Sequence, residues 1–149
     1  MKKQQEVLHR LEKFMIEFES ERFTPEQPTI DQAMILAQAL TNYYTCLETI
    51  FLRISKFFEN NLPADRWHQA LLEKMTLEIE GVRARVLRDE VYLSLLELLK
   101  FRHFTRYYFE LNYDADKLRF LLKKFNEVRK PVQDDLNAFQ SYLVRLEEA

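Results

Sequence analysis

Apolar residues recur at intervals of three and four along most of the chain, a period that predicts helices rather than strands. From about Lys3 to Phe23, Val7, Leu8, Leu11, Phe14, Met15 and Phe18 make one stripe. Pro25 and Pro28 break it, and Thr29 followed by Gln32 has the spacing of a capping box that opens a second helix. That helix, about Ile30 to Glu59, carries a broad apolar face from Ala33 through Leu36, Leu40, Tyr43, Tyr44, Leu47, Ile50 and Phe51 to Phe57. It is expected to be the spine of the fold. Asn60-Asn61-Leu62-Pro63 should stop it, because Asn accepts the left-handed cap and Pro cannot extend the hydrogen-bond ladder.

A shorter helix is predicted from about Ala64 to Leu77, with Gly81 ending the region. Asp89 reads as the N-cap of a fourth helix to about Leu111, and Asn112-Tyr113-Asp114 as the break before a fifth, in which Pro131 should cause a kink or a split. The expected architecture is therefore an all-α antiparallel bundle of four or five helices. Its length of 149 residues suits one domain, residues 1–149.

Composition narrows the picture. One glycine and four prolines leave little material for hairpins or phosphate-cradling loops. The single cysteine, Cys46, excludes an intramolecular disulfide, and no apolar run approaches membrane-spanning length, so a cytoplasmic protein without a membrane partner is expected. Three scattered histidines offer no zinc spacing, no Glu-x-x-His pair is present, and neither a metal nor another cofactor is called for. Trp67 and His68 read as the anchor of a short helix and its surface neighbour. The formal charge of −2 is uneven: residues 98–130 hold nine Lys or Arg against four Asp or Glu. That excess suits an anionic partner or a solvated helix face.

The fourth helix holds the most informative segment. Val91, Leu95 and Leu98 begin an apolar stripe whose next members at helical spacing are Arg102, Thr105 and Arg106. A guanidinium there must find a carboxylate or a ligand anion, since an unpaired buried charge is too costly. His103 and Tyr107 lie beside the arginines, and Phe101, Phe104, Tyr108 and Leu111 form a second ridge expected to face the bundle. The pattern leaves a structural ion-pair network and an anion site equally open.

The run Phe101-Arg102-His103-Phe104-Thr105-Arg106-Tyr107-Tyr108-Phe109, with Glu110-Leu111-Asn112-Tyr113-Asp114 after it, resembles the signature of HepT-like proteins, a branch of the HEPN superfamily. The stretches 40–48, Leu62-Pro63 and 67–75 are similar to family patterns in the same order, so the resemblance extends from about Ala37 to the carboxyl end. It implies a homodimeric, metal-independent ribonuclease toxin paired with a nucleotidyltransferase antitoxin of the minimal, MntA-like type. In such proteins an Arg steadies RNA phosphate, and a His four to six residues on moves a proton during attack by the 2′-hydroxyl. Many carry a Tyr two positions after that His which the antitoxin modifies with AMP.

Arg102 matches the motif's arginine, but Tyr107 stands at the histidine position and Phe109 at that of the modified tyrosine. A phenol, with a pKa of about 10, is a poor base at neutral pH. The candidates for catalysis are then Arg102 and Tyr107 at the motif positions, with His103 as a substitute base that the family pattern does not itself supply; Lys100, Arg102 and Arg106 are the candidates for phosphate, and Tyr108 is a substitute nucleotide acceptor, also outside the family pattern. The alternative is a catalytically inactive helical module that partners the nucleotidyltransferase or another protein.

Overall fold

The computed structural model describes residues 1–59, 67–105 and 112–149. Within them the chain forms α1 (Lys2–Glu21), α2 (Ile30–Phe58), α3 (Trp67–Met75), a 3-10 turn (Asp89–Val91), α4 (Tyr92–Thr105) and α5 (Ala115–Glu148). The all-α bundle expected from the apolar periodicity is the fold that forms.

Local chemistry explains the borders. Thr29 accepts a hydrogen bond from the Gln32 amide at 3.1 Å, and the Gln32 side-chain oxygen accepts one from the Thr29 amide at 3.1 Å, closing the capping box at the start of α2. Gln32 also donates to the Arg22 carbonyl, so the same side chain ties the end of α1 to the start of α2. Asp114 caps α5 by accepting from the amides of Asp116 and Lys117. Gly81, at φ 75°, occupies the left-handed region in a turn closed by the Ile79 and Arg83 backbones.

Two expected borders differ. Asp89 does not cap α4: it is the first residue of the 3-10 turn, and Arg88 precedes it with its amide and guanidinium both bonded to Asp135 of α5. Pro131 does not split α5, which runs unbroken for 34 residues. The lost proline N–H costs one rung, but Val128, Val132 and Leu136 on either side are buried, and their packing holds the helix together. The predicted stop at 60–63 and the predicted start of the third helix at Ala64 lie outside the described residues.

Helix α2 is the spine, packing against α1, α3, α4 and α5. Tyr43, Tyr44, Leu47, Ile50 and Phe51 are wholly enclosed there, with the Tyr43 ring edge-on to Phe125 of α5 at 4.9 Å. Leu47, Ile50 and Phe51 each contribute about 1.5–3 kcal/mol of apolar burial. The face ends before Phe57, which is 78% exposed. Arg83 is buried and paired with Glu59, and it also donates to the carbonyls of Lys74, Leu77 and Ala84, fastening the 77–84 turn to the end of α2.

A second carboxylate sits in the core interface. Glu12 follows Leu8 by four and precedes Met15 by three, so it faces inward from α1, and one of its oxygens is buried without a hydrogen-bond partner. Desolvation pushes its pKa up to about 7, against the opposing pull of Arg129 on α5, while Tyr43 and Cys46 of α2 face the same carboxyl. The native state therefore favours protonated Glu12. Its stabilising contribution is complete below the ordinary carboxylate range and is lost as pH rises through about 7. Chemical denaturation at a series of pH values should show Glu12→Gln to be more stable than wild type at pH 8 by on the order of 1 kcal/mol, with the advantage gone by about pH 4. Parallel pH profiles for the two proteins would contradict this.

Candidate functional site

Three helices meet around Arg102. Glu48 occupies the apolar face of α2, four residues after Tyr44 and three before Phe51, so helical geometry turns it toward α4. Arg102 continues the Val91, Leu95 and Leu98 stripe of α4 and points back at it. The residues are 4% (Arg102) and 8% (Glu48) exposed, and they pair side-on: Nη1 donates to Oε1 at 3.0 Å and Nη2 to Oε2 at 3.1 Å. Bidentate geometry of this kind matches the planar guanidinium fork to the carboxylate. Nη1 also reaches Thr45 Oγ1 at 3.4 Å, and the guanidinium lies 5.2 Å from the centre of the Tyr44 ring. Of the three guanidinium nitrogens of Arg102, Nε is the one buried without a partner among the described residues.

Helix α3 adds a histidine. His68 Nδ1 lies 2.8 Å from Glu48 Oε2 and 3.1 Å from Arg102 Nη2. A carboxylate only accepts and a guanidinium only donates, so Nδ1 can serve one of the two and not both; the shorter contact favours a proton on Nδ1 directed at Glu48, which leaves the Arg102 Nη2 approach a contact and not a hydrogen bond. Trp67 covers the His68 ring with centroids 3.7 Å apart, and His103 of α4 meets it edge-on at 5.1 Å. One end of the bundle thus gathers an ion pair and two imidazoles from α2, α3 and α4.

The sequence-predicted residues part company here. Arg102 has its carboxylate, so of the two open readings of its stripe the ion-pair network is the arrangement found. His103 joins the cluster through His68. Lys100 is exposed and lines a different cleft, about 480 Å³, with Phe101, Phe104, Thr105 and Lys117. Arg106, Tyr107 and Tyr108 lie outside the described residues. Phe104, expected to hold α4 against the bundle, is 57% exposed, whereas Phe101 does face the core.

Glu48 and His68 were missed or set aside in the sequence reading. His68 is part of a three-residue network and not a plain surface neighbour of Trp67. A signal for Glu48 existed: a carboxylate on an apolar face of α2 mirrors the arginine on an apolar stripe of α4.

Part of the basic stretch is paired with nearby carboxylates. Lys117 pairs with Glu97, Lys124 with Glu127, Lys130 with Asp134 and Arg119 with Asp116. Among the described residues no group of three or more His, Cys, Asp or Glu side chains is placed to hold a metal ion, and no helix is long and apolar enough to cross a membrane.

The HepT-like protein family matches residues 35–143, so the chain belongs to the HepT-like family of the HEPN superfamily. No curated protein and no solved structure matches the chain.

Removing one member of a buried pair leaves the other as an uncompensated charge. Arg102→Ala should lower unfolding stability by about 3–5 kcal/mol, and Arg102→Lys, which keeps the charge but loses the fork, by an intermediate amount. A loss below about 1 kcal/mol for Arg102→Ala, measured by urea denaturation, would show that the pair does not hold α2 to α4.

Proposed function

We propose that this HepT-like protein is an RNA-cleaving toxin that works as a homodimer beside a nucleotidyltransferase antitoxin. The observation that carries the reading is the convergence of a guanidinium with two imidazoles: Arg102 Nη2 is 3.1 Å from His68, whose ring is 5.1 Å from that of His103. Metal-independent cleavage of RNA needs groups that move protons to and from oxygen, and positive charge near the phosphorus. Histidine is the side chain best suited to the first task near neutral pH. In this reading His103 takes part in proton transfer in place of the residue at 107. Arg106, and Lys100 from the separate cleft it lines, supply positive charge, Arg102 acts through its pair with Glu48, and Tyr108 offers a phenol to the antitoxin in place of Phe109.

A groove along α1 and α2 supports the dimer. It holds about 830 Å³, carries the partly exposed Phe14, Met34 and Ile35 at one end, and reaches Thr45, Thr105 and Arg102 at the other.

A second reading has its own support. Both terminal nitrogens of Arg102 are taken by Glu48, and Tyr107 stands where the family's working histidine is expected, which suits an inactive module that binds the nucleotidyltransferase.

Purified protein incubated with single-stranded RNA in excess chelator decides between them. The first reading predicts cleavage that ends in 2′,3′-cyclic phosphate and falls at least about 100-fold in His103→Ala. Intact RNA at every protein concentration, together with stable co-purification of the nucleotidyltransferase, would leave only the second.

A further inference from the structure

We infer that His68, on α3 and outside the family's arginine-centred motif, is the proton-accepting group of the cleft, held in its working tautomer by Glu48. The inference rests on the RNA-cleaving reading above.

The geometry leads there in three steps. Of the two contacts at Nδ1 the shorter is the 2.8 Å one to Glu48 Oε2, against 3.1 Å to Arg102 Nη2; with the proton on Nδ1 and directed at the carboxylate, the lone pair of the neutral ring belongs to Nε2. Among the described residues Nε2 makes no hydrogen bond, and the side chain is 22% exposed, enough for the ring to meet a ligand. Arg102 fixes the carboxylate from the other side through two hydrogen bonds, which removes Glu48's freedom to turn away and balances its charge. Trp67 against the ring face limits its rotation. A carboxylate that orients one imidazole nitrogen so that the other can accept a proton is the arrangement a general base requires. The arginine in this view is a positioning residue: it acts on the histidine through Glu48.

In the step itself, Nε2 of His68 takes the proton of a ribose 2′-hydroxyl. The freed oxygen attacks the adjacent phosphorus, a 2′-O–P bond forms and the P–O5′ bond breaks. The departing O5′ takes a proton from the protonated ring of His103, and the products are a 2′,3′-cyclic phosphate and a 5′-hydroxyl end. No electrons are exchanged and no metal is needed.

His68→Gln separates this role from a structural one, because glutamine still offers Glu48 an N–H but cannot accept the proton. With a single-stranded RNA oligonucleotide as probe, cleavage by His68→Gln should fall at least about 100-fold while its helical signal and unfolding midpoint stay near those of wild type. The acid limb of the pH–rate profile should vanish with it. In His68→Gly, 100 mM added imidazole should restore about a tenth or more of the lost rate. Wild-type cleavage that persists at full rate in His68→Gln overturns the role of His68 and leaves the ribonuclease reading standing. Loss of activity in His68→Gln with an unchanged acid limb in its residual rate and no imidazole rescue in His68→Gly also overturns it. Wild-type protein that cleaves no RNA overturns both.

Discussion

The pairing of Arg102 with Glu48 sets the terms for the rest of this molecule. Two opposite charges are taken almost wholly out of water between α2 and α4, and neither tolerates the loss of the other. Helix α4 can therefore seat on the spine only in the register that brings the guanidinium fork flat against the carboxylate. Apolar packing of Leu95 and Leu98 drives the helices together, but packing of that kind tolerates small slips. The ion pair does not. It converts a general hydrophobic contact into one defined position, from which His103 projects toward α3.

The same constraint explains how a structural feature comes to border a chemical one. Glu48 has two oxygens, and each accepts from Arg102, yet Oε2 has capacity for a second donor and receives His68. A histidine placed this way is held by a carboxylate that cannot swing out to solvent. In the proposed reaction stability and proton transfer draw on one network, so substitutions at Arg102 would act on both. Activity losses at that position are informative only beside a measurement of folding.

Much of the fold was legible because its determinants are local. The Thr29 and Gln32 capping box, the apolar face of α2 and the Asp114 break before α5 are written within a few residues each. Pro131 misled for the opposite reason: its local effect on the backbone is real, but burial on both sides of it outweighs one missing rung. The site was legible by half. Arg102 on an apolar stripe announced that a partner or an anion must exist, but Glu48 is 54 residues away in the chain and His68 34. Only the packing of α2, α3 and α4 brings them together. Glu12 carried the same signature as Glu48, an acid at apolar spacing, and it too proved to be enclosed.

The central claim is that Glu48 and Arg102 act as one unit, and a double-mutant cycle measures it directly. Unfolding free energies of wild type, Glu48→Leu, Arg102→Met and the double variant give the coupling. If the pair is the joint between α2 and α4, each single change is severely destabilising and the double variant recovers much of the loss, with a coupling of about 2 kcal/mol or more. Additive losses, with coupling near zero, would contradict the account.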